Sequence, residues 1–100
     1  MKVSFHSEAS AELDAAALWY EQQQTGLGAA LLDEVTFALL AIAEAPTAWP
    51  MVSKRRRIRR FMLTRYPFAL LYVAPSERVT VLAVAHTARR PFYWRARRLP

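Results

Sequence analysis

The sequence predicts an α+β fold in which a helical hairpin packs on an antiparallel sheet, with elements in the order β-α-α-β-β-β. Three observations predict it. The first half of the chain holds two stretches whose apolar residues recur at three- and four-residue spacing, the period of an amphipathic helix. Thr25-Gly26-Leu27-Gly28 separates them and holds both glycines of the chain, which marks a tight break. The second half changes to short alternating or continuous apolar runs divided by prolines, the pattern of strands joined by turns.

Each element follows from its own residues. Lys2-Val3-Ser4-Phe5 alternates polar and apolar and reads as a short first strand at a sheet edge. Ser7 is a candidate N-cap, and Glu8 and Glu12 put negative charge near a helix amino terminus, where the macrodipole favours it. Ala9, Leu13, Ala16 or Ala17 and Tyr20 form the inward stripe of a helix from Ser7 to about Gln24, with Trp19 flanking it. Leu31, Val35, Ala38, Leu39 and Ile42 repeat the pattern in a second helix that ends near Glu44, before Pro46. So short a connection makes the two helices an antiparallel pair. Glu12, Glu21, Gln22, Gln23, Asp33 and Glu34 fall on their outer faces, where solvation is the default role.

Pro46 to Met51 is a proline-bounded loop. In the run Lys54 to Leu63 the second half fits a strand, with Arg59, Phe61 and Leu63 on one face and Ile58, Arg60 and Met62 on the other; the pattern does not choose the core face. Tyr66-Pro67 makes a turn. Phe68 to Ala74 is apolar on both faces and therefore central. Pro75 to Arg78 turns again, and Val79 to Ala85 is the last strand.

One hundred residues, 54% of them hydrophobic, suit a single domain spanning residues 1–100 that buries roughly 60–65% of its unfolded surface. There is no cysteine, so disulfides and thiolate metal sites are excluded. His6 and His86 are the only imidazoles, with no carboxylate at ligand spacing, so neither a metal nor a cofactor is expected. No apolar run approaches about 18 residues and no secretory leader pattern opens the chain. A soluble cytoplasmic protein is expected. Charge is divided between the halves. Residues 1–50 carry Lys2 against seven carboxylates, and residues 51–100 carry thirteen basic groups against Glu77. All but one of those basic groups are arginines, suited to bidentate and stacking contacts with anions or acidic proteins.

The stretch His86 to Arg98 concentrates this chemistry, with a histidine, five arginines and three aromatics directly after the last strand. No Gly-rich phosphate loop, HExxH or carboxylate pair accompanies it. Cleavage of RNA by its own 2′-hydroxyl would need a proton acceptor, cations for the phosphate and an acid for the leaving oxygen. His86 or Tyr93 could move protons, and Arg65, Arg89 or Arg60 could hold phosphate. Two plainer roles stay open, a structural hydrogen bond for His86 and packing for Tyr93, Phe92 and Trp94. The basic run Lys54 to Arg60 is read as a nucleic-acid patch, a dock for an acidic partner or a solvated loop.

The sequence also resembles the RelE/ParE toxin superfamily. The likeness is carried by Phe5-x-x-x-Ala9-x-x-x-Leu13, Trp19-Tyr20-Glu21, Gly26-x-Gly28, Ile58-Arg59-Arg60 and Arg65-Tyr66-Pro67-Phe68. It continues through Leu71-Tyr72 and Leu82-Ala83-Val84-Ala85-His86 to Arg89-x-Pro91-x-Tyr93-Trp94. It is closest to the ParE-like, plasmid-stabilisation branch and implies the toxin of a type II toxin-antitoxin pair. Such a toxin is neutralised by a partly disordered acidic antitoxin and acts on DNA gyrase by protein binding. The alternative is a RelE-like, ribosome-dependent mRNA interferase, an enzyme, in which Arg65, Arg89 and Tyr93, with His86 as a second proton carrier, would be catalytic. Lys54 is the only lysine of the basic half, and the lysines typical of RelE are missing, which favours the binding mode over catalysis. Arg59, Arg60, Arg90, Trp94, Arg95, Arg97 and Arg98 are then the residues expected to meet target or antitoxin.

Overall fold

A computed structural model describes residues 2–99. Strand β1 (Lys2–Phe5) leads into helices α1 (Ser7–Gln23) and α2 (Leu27–Glu44), followed by strands β2 (Met51–Ser53), β3 (Ile58–Met62), β4 (Phe68–Val73) and β5 (Arg78–His86). The strands form one sheet in the order β1-β5-β4-β3-β2. The expected hairpin on a sheet is present, with two additions. Strand β1 joins β5 in parallel, so the sheet is mixed, and β2 extends the antiparallel meander at the far edge.

The sheet buries both of its faces. On one, Leu31, Val35, Ala38 and Ile42 of α2 and Ala9 and Ala16 of α1 meet Phe68, Leu70, Tyr72, Val79, Val81 and Val84. On the other, Ile58, Ala69, Leu71, Val73, Leu82, Ala83 and Ala85 are covered by Trp94 of the tail, with Leu99 alongside. Hence both faces of β3 contribute, Phe61 towards the helices, followed by Leu63 just past the strand, and Ile58 towards the tail. Fully buried side chains such as Leu31, Ile42 and Leu70 each contribute on the order of 1.5–3 kcal/mol over the exposed state.

In β5 the side chains change phase partway along. Its pairing with β4 steps from Leu71–Ala83 to Tyr72–Val81 and leaves Leu82 without a partner. This β-bulge lets Val79 and Val81 face the helices before it and Val84 after it, and turns Leu82 to the tail side.

The hairpin turn is specified closely. Gly26 has φ 97°, a left-handed conformation that costs a side chain about 1–2 kcal/mol. At Gly28 a Cβ would lie 2.4 Å from the Ala17 carbonyl oxygen and 3.0 Å from Glu21 Cβ, so the helices cross here only because no side chain intervenes. The Glu21 carboxylate accepts hydrogen bonds from the Gly26 and Gly28 amides at 2.9 and 3.0 Å. Glu21 therefore closes the turn besides facing water. At the start of α1 the cap is His6 rather than Ser7. Its Nδ1 accepts from the Glu8 amide at 3.1 Å, and Ser7 is already the first helical residue. Tyrosine hydroxyls tie the helical layer to the sheet, Tyr66 donating to the Leu27 carbonyl (3.1 Å) and Tyr72 to that of Pro46 (2.7 Å).

Candidate functional site

The site grows from a gap in the sheet. Strand β1 pairs only with Arg78 to Val81, so the second half of β5 has no strand on that side. Exposed strand-edge groups need partners, and side chains supply them. The Glu12 carboxylate of α1 accepts from the Val84 amide at 3.0 Å, and the Arg97 guanidinium donates to the Leu82 carbonyl at 3.1 Å. The two groups also join each other, Arg97 donating to both Glu12 oxygens at 2.8 and 2.9 Å.

Tyr93 completes the cluster. Its hydroxyl donates to Glu12 Oε2 at 2.5 Å. The Arg89 guanidinium lies over its ring, 3.9 Å from the centroid, with that of Arg97 at 5.2 Å, a cation–π arrangement. Burial pulls the Glu12 pKa upwards, but hydrogen bonds from Arg97, Tyr93 and Val84 outweigh it and hold the carboxyl below its ordinary value. The Tyr93 phenol is pushed well above its ordinary value by burial, the Glu12 hydrogen bond and the Glu12 charge. Arg97 is raised, chiefly by its bond to Glu12. At neutral pH the cluster is a carboxylate, a neutral phenol and a guanidinium, each in its preferred state.

His86 ends β5 and is exposed. Its ring stands edge-on to Phe68 at 5.1 Å, and its Nδ1 accepts from the Ala88 amide at 3.0 Å. It shares with Arg89 the rim of a groove of about 370 Å³ whose walls are Ala15, Ala16, Trp19, Tyr20, Phe68 and Val84. Trp19, 54% exposed, is the largest apolar surface in that wall. Apart from Glu12, whose carboxylate is held by Arg97 and Tyr93, the groove is walled mainly by apolar side chains, and Arg89 adds a cation to its lining. Such a shape receives an apolar side chain next to a carboxylate.

The remaining candidates separate. Arg65 is paired with Glu34, its Nε 3.2 Å from a Glu34 oxygen. Glu34 also accepts from the Thr64 and Arg65 amides at 2.7 and 3.2 Å. Burial raises Glu34, but these bonds prevail and its pKa falls. Arg59 spends its guanidinium on the Thr47 and Trp49 carbonyls, at 3.1 and 2.8 Å. Trp94 is 5% exposed and belongs to the core beneath the tail. Arg97, 11% exposed in its side chain, is held by Glu12 and Glu8, so its charge faces inward. Arg60, Arg90, Arg95 and Arg98 are exposed. Arg60 and Arg90 border a shallow hollow of about 240 Å³ on the tail side of the sheet. Sequence reasoning missed Glu12 and Glu34. Their helical positions look solvent-facing, and the groups they bind are 72 and 30 residues away at the nearest. Among the described residues no three histidine, aspartate or glutamate side chains converge as metal ligands.

Comparison with known proteins adds the family. The family model "ParE toxin of type II toxin-antitoxin system, parDE" matches residues 3–91. The chain belongs to the ParE toxin family. No curated protein matches it. A solved structure described as "Chromosomal ParDE TA system from P. aeruginosa" is similar in fold, with a TM-score of 0.73 at 16% identity. The match covers 86% of this chain and 95% of that one. ParE membership makes this the toxin side of a type II toxin-antitoxin pair, with an antitoxin as partner. No described helix is long and apolar enough to cross a membrane.

Proposed function

We propose that this ParE-family chain acts in the cytoplasm by binding, inhibiting DNA gyrase without making or breaking a bond in its target. Its cognate antitoxin silences it by laying an acidic, amphipathic segment into the groove edged by His86 and Arg89. The observation that carries the reading is the state of Tyr93. Its phenol is committed to Glu12 and held above its ordinary pKa, which makes it a poor proton donor. Arg65 is paired with Glu34, which supports a binding role over RNA cleavage, a reaction that needs cations free to hold the phosphate. Exposed Arg60, Arg89 and Arg90 suit contact with protein carboxylates. An unfolded acidic segment could cover such a surface on folding.

A supercoiling assay with purified toxin tests the proposal. Supercoiling falls as toxin reaches stoichiometry with gyrase, and added antitoxin restores it. Gyrase undisturbed at a stoichiometric excess of toxin, or transcripts cut on ribosomes after induction, overturns it.

A further inference from the structure

Two arginine-rich segments that are distant in sequence form one surface. Arg56, in the loop between β2 and β3, donates from its two terminal nitrogens to the carbonyls of Arg95 and Arg97, at 2.6 and 2.5 Å. This clamp lays the tail against the Lys54–Arg57 loop. Lys54, Arg55, Arg57, Arg95 and Arg98 are all exposed. None of them belongs to an ion pair among the described residues, where Arg65 and Arg97 are the cations so engaged. Beside the clamp, a cleft of about 530 Å³ is bordered by Arg56, Arg57 and Ser76, with Leu99 at its edge. This is the end of the sheet opposite His86, because β4 runs from the His86 pairing at Phe68 to Val73 beside the cleft.

We propose that this joined surface binds the phosphate backbone of nucleic acid without reading its sequence. The cations are almost all arginine, whose planar fork grips phosphate oxygens in pairs, as it does carboxylates. What favours a polyphosphate over an acidic protein is how few large apolar side chains the patch exposes among its cations. Protein–protein interfaces bury an apolar core, whereas the large exposed apolar side chains Leu18, Trp19, Leu32, Phe37 and Leu40 are all on the helices. Near the patch Met51, 37% exposed, and Phe92, 47% exposed and bonded through its carbonyl to the Arg95 amide, are of that kind. The net charge of +6 steers the chain towards such a polyanion. The surface is distinct from the groove at His86 and Arg89, so a gyrase or antitoxin assay does not decide it.

The test is fluorescence anisotropy of the full chain with a labelled 20-base-pair DNA duplex between 50 and 200 mM salt. If all five exposed cations engage, the slope of log affinity on log salt is about −4.5, at about 0.9 per phosphate contact. Arg55→Gln with Arg57→Gln, and separately Arg95→Gln with Arg98→Gln, each reduces that slope by about 1.8. Each pair also weakens binding near 0.1 M salt by roughly sixtyfold, about eightfold per contact. All four side chains are exposed, and unchanged circular dichroism and melting confirm the fold of each variant. A slope near zero overturns the proposal. So does a response to only one of the pairs, because the surface then does not act as a unit. Equal or tighter binding of a glutamate-rich peptide of matched charge overturns it in favour of an acidic protein partner.

Discussion

Replacing Glu12 with alanine removes the acceptor on which the edge of β5 and the tail converge. Four hydrogen bonds are lost together, from the Val84 amide, the Tyr93 hydroxyl and two nitrogens of Arg97. Both members of the ion pair are largely buried, with side-chain exposures of 16% and 11%. Deleting one partner of such a pair costs about 3–5 kcal/mol, because the other charge stays behind. The lower end applies, since Glu8 remains 3.4 Å from Arg97 and the Leu82 carbonyl still accepts. A loss of about 3 kcal/mol lowers Tm by roughly 12–24 °C in a domain of this size. Glu12→Gln keeps the shape but turns one acceptor oxygen into an NH2 donor that faces two donors, so it loses the charge and two hydrogen bonds and costs about 2–3 kcal/mol. Urea and thermal unfolding followed by circular dichroism give these values. A double-mutant cycle with Arg97→Met isolates the pair and should return a coupling of about 1 kcal/mol or more. A loss below about 1 kcal/mol for Glu12→Ala, or strict additivity with Arg97→Met, would refute the reasoning.

Other perturbations have equally definite outcomes. Gly28→Ala drives a Cβ into the Ala17 carbonyl and forces the helices apart, at a cost of about 1–3 kcal/mol in unfolding free energy. On acidification, Glu12 and Glu34, both lowered in the folded state, contribute stability that is complete above the unfolded glutamate pKa. Unfolding free energy measured against pH should therefore fall from about pH 5 downwards. At the other extreme the raised Tyr93 phenol contributes stability that is lost as pH climbs beyond the unfolded value of 10.0. Tyr93→Phe should shrink that alkaline limb, leaving the smaller part owed to Tyr72, which burial also raises. Trp19→Ala, at an exposed position of the groove wall, should leave Tm within a few degrees. The same change should weaken calorimetric binding of the antitoxin at least tenfold, the cost typical of a central aromatic anchor. Trp49 packs edge-on against Phe61 at 4.5 Å, but its buried indole N–H has no partner. Trp49→Phe should thus change stability by no more than about 1 kcal/mol, an unpaired polar group being removed along with some packing.

The parts of the fold that the sequence reveals are those set by local periodicity. The inward stripes of both helices, the glycine break and the doubly apolar β4 follow from spacing alone. Strand β2 does not, because three residues flanked by Pro50 and a register shift are too few to establish a period. The bulge at Leu82 is hidden for a related reason, since an apolar run reads the same whether or not one residue is unpaired. At the site, composition locates the basic tail but cannot sort its arginines. Arg56, Arg59 and Arg97 serve backbone carbonyls and a carboxylate, whereas Arg55, Arg57, Arg95 and Arg98 face solvent. Only tertiary geometry distinguishes them. The same holds for Glu12, which the helical wheel places towards water and which the tail, arriving from far along the chain, covers.

The bond between Glu12 and Arg97 joins residues 85 positions apart, and this separation has a kinetic meaning. Closing so long a loop is entropically costly and is compensated only once most of the sheet exists. The contact is therefore expected to form after the rate-limiting step of folding, which a φ-value near zero for Glu12→Ala would show. Its strength sets how long the native chain survives more than how quickly it is reached. Weakening it should quicken unfolding and spare refolding, and the tail would then time the lifetime of the folded toxin.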